Sequence, residues 1–168
     1  LSIGLSTSGS FIASCAHGKN ILKTLPSTGF KQQPLPYAYN ALENVVDAMT
    51  MEIQYSKHAA AYSKNVTDAA AAEGADITKP LEDVLAKISK YTPKMRNNGG
   101  GHYNHEMFWQ CMRPKQEGNS PTGNLQLAIN KAFNSFDNFK KQFGDAGKNR
   151  FGSGWAWLYA DANKNLKV

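Results

Sequence analysis

Gln54, His58 and Tyr62 are four residues apart, a spacing that puts all three on one helix face, with Met51 and Tyr55 beside them. A metal-binding helix would carry His-x-x-x-His here, whereas this chain reads Gln54-Tyr55-Ser56-Lys57-His58. The same stripe also suits a core histidine satisfied by polar neighbours. A second group, His102-Tyr103-Asn104-His105, follows three glycines and sets two imidazoles three residues apart. Alone it would suit a weak divalent-metal site of zinc or iron type.

Helices must position these residues. From Asn40 onward Leu42, Val45, Val46, Met49, Ile53 and Ala60 recur mostly at spacings of three and four, predicting a long first helix that ends near Asn65. The alanines at 69 to 72, with Glu73 and Gly74, read as the turn region of a helical hairpin, although an alanine-rich segment can also extend a helix. Pro80 opens a short helix with Leu81, Val84, Leu85 and Ile88 as its apolar stripe. Asn97 to Gly101 reads as a flexible break, with the next helix running from His102 to about Met112.

Arg113-Pro114 and the polar stretch to Gly123 mark a linker. Two further helices are predicted around Leu125 to Phe133 and Ser135 to Phe143, then a strand at Trp155 to Tyr159, a turn at Asp161 to Asn165, and a stub, Leu166 to Val168. The expected fold is α+β: a helical-hairpin layer over 34–115, then an α/β layer over 121–168 whose small antiparallel sheet is unfinished. A strand and stub cannot satisfy their backbone groups alone, so further chain or a partner is expected to cover that edge.

Residues 1–33 carry Pro26, Gly29 and no sustained periodicity, and read as an extended arm. The first acidic residue is Glu43, and the stretch before it is rich in Ser, Thr, Gly and Lys without Arg. That composition suits an organellar import sequence, plastid rather than mitochondrial, or an arm lying on a partner. No run approaches the roughly 20 apolar residues of a membrane-spanning helix. Cys15 and Cys111 form no disulfide framework and read as reduced thiols. The net charge of +6 would steer a small anion or suit an acidic partner. The lysines form no dense basic block, so nucleic-acid binding is weakly supported.

Five segments occur in an order that resembles the iron/manganese superoxide dismutases over roughly residues 24 to 168. They are Leu35-Pro36-Tyr37-Ala38-Tyr39-Asn40-Ala41-Leu42-Glu43, the Met51 to Tyr62 helix, Asn97 to Trp109, Phe133-Asn134-Ser135-Phe136 and Phe151 to Leu158. The resemblance implies one manganese or iron ion held by three His and one Asp, with superoxide as substrate. It makes His105 the second ligand, His58 and Tyr62 the groups that gate substrate and protons, and Phe108 and Trp109 the pocket wall.

Gln54 falls on the first ligand position, where an amide oxygen is a weaker donor than imidazole. The family's remaining Asp and His belong to an Asp-x-Trp-Glu-His segment that does not occur in these 168 residues. Asn44-Val45 stands where the family commonly has Pro-His. Gly101 resembles the manganese pattern, since many iron enzymes carry Gln there. The usual homodimer is not carried over.

With one matching ligand of four, the chain reads as a non-catalytic subunit of a large organellar assembly, bound to other protein subunits and with no cofactor expected in this form. The alternative is an active superoxide dismutase whose C-terminal ligands lie outside these residues, with manganese or iron bound.

Overall fold

Asp47 starts the first long helix: its carboxylate accepts the Thr50 amide at 2.8 Å and fills the open first turn. The computed structural model describes residues 27–168. The arm and import-sequence readings before residue 27, and Cys15, lie outside the described residues. Helix α1 (Ala48–Ile53) runs into a π turn (Gln54–Ala59) and on through α2 (Ala60–Glu73). Upstream, Tyr39–Leu42 form only a 3-10 turn, so the helix begins later than the periodicity from Asn40 predicted.

It also ends later. The alanine run is helix interior, as the high helix propensity of alanine favours, and Gly74 closes α2 in the left-handed conformation at φ +67°. The chain returns through α3 (Leu81–Leu85), a 3-10 turn (Ile88–Lys90) and α4 (Pro93–Cys111). Thr92 Oγ1 accepts the Met95 amide at 3.3 Å to cap α4, with Pro93 in its first turn.

The expected break at Asn97 to Gly101 does not exist, because α4 passes straight through the glycines. Packing explains Gly101, where a Cβ would strike the Tyr62 ring, whereas a Cβ on Gly99 would meet Leu85 at 3.4 Å in ordinary contact. Gly101 trades helix propensity for close approach of α2.

The core between these helices holds Phe30, Val66, Ala69, Ala70, Leu81, Val84, Leu85 and Met95. Leu81 is fully buried, so Leu81→Ala is expected to destabilise the fold by about 2–5 kcal/mol, read from chemical denaturation. A second cluster joins Leu42, Met51, Ala59 and Trp109. Val45, Met49 and Ile53, part of the predicted helical pattern, are exposed instead.

Residues 27–33, read as the end of the arm, are fastened to the helices. Thr28 O accepts the Leu81 amide, Glu82 Oε1 accepts the Thr28 amide, and the Phe30 side chain is buried. The helical unit spans Pro26–Glu117.

The second unit contains Gly118–Val168. Its helices α5 (Gly123–Phe133) and α6 (Phe136–Lys148) are separated by Asn134 at φ +67°, and Ser135 Oγ caps α6 by accepting the Asn138 amide at 3.1 Å. Phe133, Phe139 and Phe143 pack as tilted rings along the hairpin. Strands β1 (Tyr159–Ala160) and β2 (Leu166–Lys167) pair antiparallel, Tyr159 opposite Lys167. Of the expected strand at Trp155 to Tyr159, only Tyr159 pairs. The fold is thus a helical hairpin followed by an α/β unit with a small antiparallel sheet. Among the described residues no helix is long and apolar enough to cross a membrane.

Candidate metal centre

The π turn carries Gln54 and His58, and α2 continues from it to Tyr62. Such turns displace the residues beyond them and recur at functional sites. Across from them, α4 brings His105. The His58 and His105 rings lie 5.1 Å apart, Tyr62 stacks on His105 at 5.3 Å, and His58 meets Tyr62 edge-on at 5.2 Å. The predicted trio of His58, Tyr62 and His105 is therefore one cluster.

His105 is buried, and its Nδ1 lies 2.7 Å from the Gly101 carbonyl oxygen. A carbonyl only accepts, so Nδ1 carries the proton and Nε2 keeps its lone pair. Burial holds this imidazole's pKa below the usual histidine value, and the neighbouring His58 adds to that, against the Gly101 hydrogen bond. Neutral, with the far nitrogen oriented by a backbone carbonyl, it has the form of a metal ligand.

His102 does not share that role. Its Nε2–H donates to Gly29 O at 3.0 Å and its Nδ1 accepts the Ser63 hydroxyl at 2.8 Å, so both nitrogens are used. Desolvation keeps it neutral. The proposed His102–His105 metal pair is thereby corrected, because the two rings serve different tasks.

Gly101 matters twice: its carbonyl orients His105, and its missing side chain lets Tyr62 lie on the helix. A Cβ there would overlap Tyr62 Cδ1 and Cε1. Gly101→Ala is expected to lower stability. Overpacking costs about 1–3 kcal/mol, against about 1 kcal/mol gained from helix propensity. Denaturation of the variant checks the sign, and an unchanged or raised midpoint would mean that Tyr62 swings away freely.

Trp109 is buried with its ring 5.8 Å from His105, and Phe108, 40% exposed, lies 5.4 Å from Trp109. Of the two residues expected to wall the pocket, Trp109 thus touches His105, and Phe108 packs on Trp109. Tyr37 donates its hydroxyl to Trp109 O at 3.1 Å, and burial pushes that phenol up to about 12. Cys111 is exposed and takes part in no disulfide among the described residues.

Sequence reasoning missed Glu106. It is buried beside His105, one oxygen accepting the Gln33 amide at 3.1 Å and the other without a partner. Burial raises its carboxyl pKa. A carboxylate heading the apolar run Met107-Phe108-Trp109 was the available signal.

For a mononuclear ion, His105 fits as a nitrogen ligand and Gln54, exposed on the π turn, could offer an amide oxygen. Among the described residues no group of three or more His, Cys, Asp or Glu converges on one point. The described residues thus fit part of a coordination shell.

The helical hairpin thus presents an oriented neutral imidazole inside an aromatic and phenolic cluster. Residues 29–113 match the family model for the alpha-hairpin domain of iron/manganese superoxide dismutases, and residues 121–168 match their C-terminal domain. The chain belongs to the iron/manganese superoxide dismutase family.

It is 46% identical over 149 residues to superoxide dismutase [Mn] 1 of Leptolyngbya boryana, covering 86% of this chain and 59% of that protein. Identity to superoxide dismutase [Mn] of Acinetobacter baylyi is 44%, covering 83% of this chain and 61% of the relative. For superoxide dismutase [Mn] of Pseudomonas aeruginosa it is 46%, covering 80% and 68%. The chain thus spans about 60% of the length of the first two.

Proposed function

We propose that the protein containing this chain is an active superoxide dismutase using manganese, or iron, with His105 as one of the metal's ligands. The observation that carries this reading is the His105 imidazole itself, its Nδ1–H held by the Gly101 carbonyl and its ring packed against His58 and Tyr62. The likeness to three manganese dismutases favours manganese.

A bound ion would supply one-electron chemistry, by which two superoxide anions and two protons become dioxygen and hydrogen peroxide. The chain's own residues do the rest. His105 presents a neutral nitrogen, and the Gly101 carbonyl fixes its tautomer. His58, exposed, and Tyr62, half-buried, stand at ring contact with it, placed to hold and pass protons. Trp109 keeps that side of the site dry. The excess of positive charge favours approach of an anion. The remaining donors are assigned to polypeptide outside these residues.

The second reading, a non-catalytic subunit of an organellar assembly, draws its support from Gln54 in place of a histidine. It leaves the retained cluster without a purpose, whereas catalysis gives each member one. Plastid import remains a proposal resting on composition before Glu43, tested by fusing residues 1–42 to a fluorescent protein.

Metal analysis and superoxide consumption by the full-length polypeptide, purified after manganese supplementation, test the dismutase reading. About one ion per chain with rapid consumption is expected. A metal-free, inert protein would return the chain to the structural reading.

A further inference from the structure

Positions 54 and 105, one matching the family's first ligand position and the other assigned to the metal, are each followed by a residue tied to the same short segment. Tyr55, after Gln54, donates its hydroxyl to Gln33 O at 2.9 Å. Glu106, after His105, accepts the Gln33 amide at 3.1 Å. Gln33 therefore bridges the π turn and α4 through its own carbonyl and amide.

Gln32 adds a third tie. Its side-chain amide donates to Tyr55 O at 2.9 Å, and that same carbonyl accepts the Ala60 amide five residues on. The i to i+5 bond is the one that defines a π turn, and such turns are rare because α geometry competes with them. Gln32 thus buttresses the carbonyl on which the local register depends. Tyr55 is also held edge-on to Trp109 at 6.1 Å, so its ring cannot wander from α4.

Glu106 shows that packing alone does not explain this arrangement. A buried carboxyl with one oxygen unpartnered is a costly way to fill space, and an apolar side chain would fill it without that penalty. What an apolar residue could not do is hold Gln33.

We propose that Gln32, Gln33, Tyr55 and Glu106 form a positioning clamp that fixes the π turn against α4, setting how positions 54 and 58 face His105. None of the four touches the reacting atoms. The inference rests on the dismutase reading for its purpose, and on the hydrogen bonds above for its geometry.

In the full-length protein, Tyr55→Phe removes one hydroxyl and keeps the ring, while Glu106→Leu removes the acceptor. Each is expected to weaken Mn²⁺ binding about 10-fold in titrations with the metal alone. The double variant should lose no more than about threefold beyond the worse single, because both break one bridge. Glu106→Gln retains an oxygen acceptor and should stay within about threefold of the parent. Glu106→Leu should leave the melting temperature of the metal-free protein unchanged or raised, which a merely structural role would lower.

Unchanged Mn²⁺ affinity in both single variants, or losses that multiply in full, would overturn the clamp. A parent protein that takes up neither Mn²⁺ nor iron would instead sink the dismutase reading, and hydrogen exchange at the Gln33 amide then decides. Protection that both Tyr55→Phe and Glu106→Leu abolish supports the clamp. An amide unprotected in the parent, or indifferent to Tyr55→Phe, refutes it.

Discussion

His105→Ala in the full-length polypeptide is expected to weaken manganese or iron binding by more than about 100-fold and to remove dismutation with it. Losing partners outside the inner shell costs about 10 to 100-fold, and His105 is assigned to the shell itself. The prediction follows from its two nitrogens. Nδ1 is committed to Gly101 O at 2.7 Å, so Nε2 has no proton to give and only a lone pair to offer. His102 supplies the contrast three residues earlier. Its ring ties Ser63 to Gly29, so His102→Ala strands a buried hydroxyl and a backbone carbonyl and should cost about 1–3 kcal/mol of stability. Metal titration and denaturation of both variants separate the roles. Metal retained by His105→Ala would remove this residue from the coordination shell.

That contrast also marks the limits of what the sequence makes legible. Spacing alone put His58 and Tyr62 on one face, and the family resemblance selected His105 over His102. Nothing in the spacing distinguishes the two imidazoles, because the difference lies in Gly29 and Ser63, partners 73 and 39 residues away. The glycines at 99 to 101 misled for a related reason. Local propensity reads them as a break, yet α4 runs helical through them, and at Gly101 the Tyr62 ring occupies the space that a side chain would have taken.

The alanine run failed in the opposite direction: its propensity was high, but Gly74 drew the hairpin turn too early in the reading, although Gly74 itself is the cap. The π turn had no visible signature, since it differs from α-helix by a shift in hydrogen bonding rather than in apolar pattern. The paired strands are two residues long, too short for alternation to register.

Gln54→His in the full-length protein should strengthen manganese or iron binding by about 10 to 100-fold, the range that ligand-environment changes commonly span. Imidazole is the donor that the family resemblance implies at this position and suits iron better than an amide oxygen does, whereas carbonyl oxygen also suits manganese, so the gain should be larger for iron. Position 54 is exposed, so the exchange should move stability by no more than about 0.5 kcal/mol, and any change in affinity reports on coordination rather than folding. In the 168-residue chain on its own the same substitution should restore no turnover. Among the described residues no third or fourth His, Cys, Asp or Glu donor converges with His105, and one added imidazole does not complete a shell of four. High activity from that short variant would overturn the assignment of the missing donors to other polypeptide. Unchanged metal affinity in the long one would show that the residue at 54 does not reach the ion, so its identity could not count against catalysis.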